Sequence, residues 1–212
     1  MNKQKLPDGF ETRVANIELR DDHDTPTIVG HAALFNSVSL DIGGFMGGFR
    51  ETIEPGAFED AISGSDIRSL FNHDSNIVLG RMSAGTLTVA EDDVGLLTET
   101  MPPDTQLVRD IVLAPMRRGD ITQMSFAFKL KPGKQGARYD EDDDGNVLRT
   151  IIAGGVRELY DTSVVTYPAY PDTTVAVRSL MGLLETDEER RRLMQAHTAY
   201  RARCIRLMVL DR

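Results

Sequence analysis

Apolar residues in the first 180 positions fall into short runs separated by glycine, proline and acidic clusters. That pattern predicts strands joined by turns rather than long helices. Phe10 to Leu19 alternates moderately and reads as a strand; Thr27 to Phe35 is a more apolar one, entered from the polar turn Asp21 to Pro26. The glycine-rich stretch from Asp41 to Phe49 reads as a loop. Pro55 in Glu54-Pro55-Gly56-Ala57-Phe58 suits a first helical turn, so a short helix is expected through about Ile62. Further strands are predicted at Ile67 to Phe71, Leu79 to Met82, Gly85 to Ala90 and Gly95 to Thr100. A second helix runs from Thr105 to about Ala114, with Leu107, Val108, Ile111 and Val112 at helical spacing. Asp120 to Lys131 and Val147 to Ala153 read as strands joined by an acidic hairpin tip, and Leu159 to Thr166 as the last strand.

Many short strands with two short helices imply an α+β fold built on a small curled β-sheet or β-barrel. No repeat of 20 to 50 residues is present, which disfavours a solenoid. Past Leu180 the pattern changes. Thr186-Asp187-Glu188-Glu189 is a capping box, and Leu193, Ala196, Tyr200, Cys204 and Leu207 follow at steps of three and four. Residues 1–180 are therefore read as the body and 181–212 as a C-terminal amphipathic helix.

Charge sharpens that division. From Leu183 to Arg212 seven arginines face five acids, whereas the whole chain of 212 residues carries −9. An acidic body disfavours general nucleic-acid binding, because the phosphate backbone would be repelled. No apolar run approaches the ~18 residues of a membrane span. The lysines at Lys3 and Lys5 have no apolar stretch behind them, so no secretory signal is expected. The single cysteine, Cys204, excludes an internal disulfide or a cysteine-based zinc cluster, and a reducing cytoplasm is the expected setting.

Candidate chemistry is sparse. His23 lies in an acidic turn and His197 on the terminal helix, both suited to solvent. His31 lies in an apolar strand, where a hydrogen-bonded structural role is the simple reading. His73 ends the apolar strand Leu70-Phe71-Asn72-His73-Asp74, where side chains often face a site. Ser125, in Met124-Ser125-Phe126-Ala127-Phe128, must find a partner for its hydroxyl or stand unsatisfied among bulky neighbours. On residue chemistry alone it is better explained by a bond to nearby backbone. No Gly-x-Ser-x-Gly elbow is present. The run Asp140 to Gly145 has the acids of a calcium loop, but Ile151 stands where the bidentate glutamate belongs, and a solvated hairpin tip fits better. No two histidines share zinc-ligand spacing. Arg118-Gly119-Asp120 reads as a helix end rather than an adhesion tripeptide. No cofactor is expected.

Several stretches taken in order resemble the prohead (procapsid maturation) serine proteases of tailed bacteriophages. They are Gly30-His31-Ala32-Ala33-Leu34-Phe35-Asn36, Glu54-Pro55-Gly56-Ala57-Phe58, and Leu70-Phe71-Asn72-His73-Asp74 with Leu79-Gly80-Arg81. Arg117-Arg118-Gly119-Asp120-Ile121 then leads to Met124-Ser125-Phe126-Ala127-Phe128, and Leu159 to Val165 to Pro168-Ala169-Tyr170-Pro171. The resemblance spans about Val14 to Arg178. It implies a fold similar to the herpesvirus assembly protease (assemblin), a small barrel flanked by helices. It also implies His73 as base and Ser125 as nucleophile. The third member it implies is Asp161, with Glu158 as alternative; their odd separation on one strand predicts opposite faces. Backbone amides are the expected oxyanion donors, with Arg117 or Arg118 as helpers.

The same resemblance implies substrates: the major capsid protein with its scaffold or delta segment, and the enzyme itself. It places the protein in the host cytoplasm inside the procapsid. The terminal helix would tether the enzyme to scaffold or pair subunits into a homo-oligomer. The rival reading from another class is a non-catalytic phage structural or assembly barrel.

Overall fold

The computed structural model describes residues 11–20, 26–39, 42, 49–142 and 146–166. The fold is mostly β. Eight strands form one sheet: β1 (Glu11–Arg20), β2 (Thr27–Leu34), β4 (Arg68–Phe71), β5 (Asp74–Arg81), β6 (Leu87–Glu91), β7 (Gly95–Thr100), β8 (Gln123–Leu130) and β11 (Val156–Val165). Their spatial order is β5-β4-β11-β8-β1-β2-β7-β6. Three strands make a second sheet in the order β3-β10-β9: β3 (Arg50–Ile53), β9 (Ala137–Glu141) and β10 (Val147–Ile151).

The large sheet curls until its two edges nearly meet. A short 3-10 turn at Met82–Ala84 links β5 to β6, and there Arg81 N donates to Thr86 Oγ1 at 3.0 Å. Gly80 permits the approach: a Cβ at this position would stand 2.6 Å from Thr86 O.

Two short helices pack on this sheet. Helix α1 (Glu59–Gly64) is held at its entrance by Glu91, whose carboxylate accepts from Gly56 N at 2.8 Å and Phe58 N at 2.6 Å. Helix α2 is continuous in three parts, α-helical at Gln106–Val108, π-helical at Arg109–Leu113 and α-helical again at Ala114–Arg118. Thr105 caps it, accepting from Val108 N at 3.3 Å. The helix outlasts its expected end at Ala114. The wide turn just before Pro115 relieves the clash its ring would make with the preceding turn. Gly119, at φ 79°, then ends the helix in the left-handed conformation.

Phe126 and Phe128 stack at 5.1 Å, and Phe58 meets Phe126 edge-on at 5.7 Å, so β8 and α1 share one core. Arg149 of β10 is fully buried and joins the small sheet to the large one. It donates to Glu11 of β1 (Nη1 to Oε1, 3.0 Å) and to Glu51 of β3 (Nε to Oε2, 2.6 Å). Arg13 completes the cluster with Glu51 at 2.6 Å, and the Arg149 guanidinium lies 4.6 Å over Phe49.

Two expectations change. Asp120 to Lys131 and Val147 to Ala153 do not form a hairpin. The acidic tip joins β9 to β10, while β8 enters the large sheet between β11 and β1. Strand β9 is too polar, Ala-Arg-Tyr-Asp-Glu, to stand out in the pattern. The body is also more β-rich than α+β implies. The amphipathic helix at 181–212 and the Pro168-Ala169-Tyr170-Pro171 stretch lie outside the described residues, while the last strand, expected at Leu159 to Thr166, is β11.

Candidate active site

Strands β11, β8 and β4 lie side by side, and each brings one of the residues singled out in the sequence. Ser125 stands mid-strand on β8, directly opposite Ser163 of β11. β4 runs parallel to β11, with Arg68 beside Asp161 and Phe71 beside Val164. At the end of β4 the chain reverses through Asn72 and His73, with Phe71 pairing Asp74 across the turn. Both central residues have positive φ, 53° and 57°. That is the conformation of a type I′ turn, which strand twist favours and glycine usually fills. Holding histidine there costs on the order of 1–2 kcal/mol. The turn carries the imidazole back along β11 as far as Asp161.

His73 Nδ1 lies 2.7 Å from Asp161 Oδ1, with the imidazole 15% exposed and the carboxylate at 0%. The same Oδ1 accepts from Ser163 Oγ at 2.5 Å. In a neutral imidazole this contact places the proton on Nδ1 and leaves Nε2 as an acceptor. Among the described residues, buried His73 Nε2, Ser125 Oγ and Asp161 Oδ2 have no hydrogen-bond partner. A serine hydroxyl, an accepting imidazole nitrogen and an oriented acid are thus left with free valences in one buried region. Orphaned polar atoms are rare in native interiors; Tyr139 Oη and Thr162 Oγ1 are the other two among the described residues, and three of the five belong to residues singled out in the sequence.

The parity expected for β11 does not hold. The ladder with β8 pairs Leu159 with Phe128 but Asp161 with Ala127, so a bulge at Tyr160 intervenes. Leu159 therefore joins the face of Phe128, and Asp161 turns to the face of Ala127, Ser125 and Ser163. Glu158 pairs with Lys129 and lies on that face too, so the opposite-face expectation is corrected. What separates the two acids is position. Glu158 is 41% exposed and pairs with Arg157 at 3.2 Å, whereas Asp161 is sealed against His73.

The family model of the caudovirus prohead serine protease matches residues 13–186, from β1 through β11 and beyond. The chain belongs to this family. No curated protein and no solved structure matches it. Caudovirus prohead proteases are serine proteases of capsid maturation, so this chain is a serine protease of that class.

In the other stretches that resembled prohead proteases, several described residues make structural contacts. Gly56 takes φ 84° and its carbonyl accepts from Gly154 N at 2.7 Å, while Ala57 and Phe58 are fully buried. His31 Nε2 meets Asp92 Oδ2 at 2.8 Å; this bond, with the amides of Gly95 and Val94, holds the Asp92 carboxyl down at about 2. Arg81 pairs with Asp66, and Arg118 Nε with Asp120 Oδ2 at 3.2 Å. In the acidic tip Asp142 accepts from Asn146 N at 2.8 Å and pairs with Arg50 at 3.2 Å. Among the described residues no group of three or more His, Cys, Asp or Glu converges to hold a metal, and no helix is long and apolar enough to cross a membrane. His23 and His197 lie outside the described residues.

Sequence reasoning passed over Ser163, which the resemblance carried only as part of a motif. The usable signal was its place two residues after Asp161, since a two-residue step on a strand keeps one face.

Proposed function

We propose that this prohead protease hydrolyses peptide bonds with Ser125 as nucleophile, His73 as general base and Asp161 as the acid that orients the imidazole. The observation that carries this reading is the 2.7 Å contact between His73 Nδ1 and buried Asp161, with Nε2 and Ser125 Oγ both unpartnered. In the reaction, Ser125 Oγ attacks the scissile carbonyl and gives its proton to His73 Nε2. Collapse of the tetrahedral adduct breaks the C–N bond, and the imidazolium returns the proton to the leaving amine. Water, deprotonated by the same nitrogen, then attacks the acyl ester and frees Ser125. Asp161 offsets the positive charge on the ring in both halves.

The oxyanion needs donors from outside β8. Ser125 is paired with Val14 on one side and Ser163 on the other, so the two ladders occupy its amide. A nucleophile inside a sheet differs in this from one on a sharp strand-to-helix turn, whose following amide is free.

The substrates that fit a capsid-maturation protease are the scaffold or delta segment of the major capsid protein, and the protease itself, inside the procapsid in the host cytoplasm. Co-expression with the capsid protein of the same phage tests the reading. Shortened capsid and protease products are expected with the wild type and absent with Ser125→Ala. Cleavage persisting in Ser125→Ala would sink the serine mechanism. No cleavage by the wild type would favour a structural barrel.

A further inference from the structure

The turn that presents His73 is held by a clamp of its own. Asn72 N donates to Val164 O at 2.8 Å. The Asn72 side chain then grips the end of β11 from both ends of its amide: Nδ2 donates to Thr166 Oγ1 at 3.0 Å, and Oδ1 accepts from Thr166 N at 2.8 Å. These bonds join the residue before His73 to the strand that carries Asp161. Glutamine is a methylene too long and serine has one polar atom; aspartate keeps the bond from Thr166 N but can meet the hydroxyl only if Thr166 Oγ1 turns to donate.

Backbone conformation adds a second reason for asparagine. The position has φ 53°, where asparagine and glycine are the residues least penalised. Glycine would satisfy the backbone and surrender the clamp. The next residue is also left-handed, at φ 57°, so the turn stores strain at the histidine itself. Without the side-chain tie to Thr166, the backbone bond to Val164 alone holds the turn on β11, and the turn can relax and move the imidazole with it.

We infer that Asn72, with Thr166, is a positioning residue that locks the His73 turn onto β11 and so sets the imidazole between Asp161 and Ser125. The inference rests on the proposed triad. Misplacement of a catalytic group by about 1 Å costs on the order of 10²-fold in rate. The loss belongs in the chemical step, because neither Asn72 nor Thr166 is required to touch substrate.

The test is the rate at which Ser125 is acylated by a fluorophosphonate probe on the full-length chain. The Ser125 Oγ–P bond forms, P–F breaks, fluoride leaves, and the serine proton passes to His73. Asn72→Gly is expected to lower the maximal rate of labelling by about 10²-fold while leaving the half-saturating probe concentration within about twofold. Asn72→Asp, which keeps the acceptor, and Thr166→Val, which loses only the hydroxyl, are expected to lose less, about 3- to 10-fold each. Both positions are exposed, so these variants should keep the wild-type melting temperature within a few degrees. Wild-type labelling by Asn72→Gly overturns the clamp, as does a loss that appears only in the half-saturating concentration. If Asn72→Gly fails to fold, wild-type labelling rates in both Asn72→Asp and Thr166→Val overturn it equally. Labelling of Ser125→Ala, by contrast, refutes the triad and not the clamp.

Discussion

Asp161 accepts two hydrogen bonds on one oxygen, from His73 Nδ1 at 2.7 Å and Ser163 Oγ at 2.5 Å, and is fully buried. Exchange to asparagine keeps the volume but lets the imidazole adopt the wrong tautomer. Asp161→Asn is expected to lower peptide-bond cleavage by about 10⁴-fold. Glu158→Gln should cleave at the wild-type rate, because Glu158 faces Arg157 at the surface. The two variants compared in one gel assay decide between the acids. Ser163→Ala leaves the carboxylate with His73 alone. A hydrogen bond to a charged group contributes about 1.5–3 kcal/mol, so a loss of roughly 10- to 100-fold in kcat with KM unchanged is expected if the bond orients Asp161.

Individual elements owe their placement to a few polar contacts that cross between strands. Glu91, at the end of β6, holds the entrance of α1 through the amides of Gly56 and Phe58, and Phe58 packs on Phe126 next to Ser125 in the chain. Glu91→Ala leaves those amides without their acceptor. Thermal or denaturant unfolding should show a loss of about 1–3 kcal/mol. Cleavage measured well below the unfolding temperature should change little, since α1 supplies the back of β8 and none of the reacting groups. The bulge at Tyr160 has the opposite character. It leaves the core face of β11 intact at Leu159 while turning Asp161 to the face of Ser125. Deleting Tyr160 would remove the extra residue and leave Leu159 opposite Phe128 and Asp161 opposite Ala127, so cleavage should persist in molecules that fold.

For the whole molecule, the buried cluster of Arg149, Glu11, Glu51 and Arg13 joins the two sheets. Burial by itself would raise the Glu11 carboxyl, but Arg149 and Arg13 outweigh it and hold the group far below its ordinary value of 4.5. Burial likewise works against the Arg149 charge, and Glu51 and Glu11 more than restore it. Because the folded value of Glu11 lies below the unfolded one, its contribution is full above about pH 4.5. It is lost as the pH falls further. Acid unfolding followed by far-UV circular dichroism should therefore begin below about pH 4.5 and be steeper for wild type than for a variant with the cluster replaced by apolar residues. Arg149→Met alone leaves two buried carboxylates with Arg13 as their remaining cation and is expected to cost about 3–5 kcal/mol in urea unfolding.

The strands of the large sheet were legible because their apolar runs are punctuated by glycine, proline and acids, and local patterning of that kind survives folding. Gly95 to Thr100 matches β7, and the helix expected from Thr105 begins at Gln106, for that reason. Family membership, too, is carried by linear order, since the matching stretches keep their sequence along the chain. Polar strands such as β9, and the short β3 behind its glycine-rich approach, were not legible, because their pairing with β10 rests on partners distant in the chain. Likewise hidden was the bulge that overrides strand parity at Asp161, which exists only as a mismatch between β11 and β8. The sequence by itself determined which residue types are available at the site: His73 at a strand end, Ser125 in an apolar strand, and acids before the Ser-Val-Val run. Only the tertiary structure decided which acid meets the histidine, because that depends on a two-residue left-handed turn, its clamp to Thr166, and a register shift between strands more than thirty residues apart.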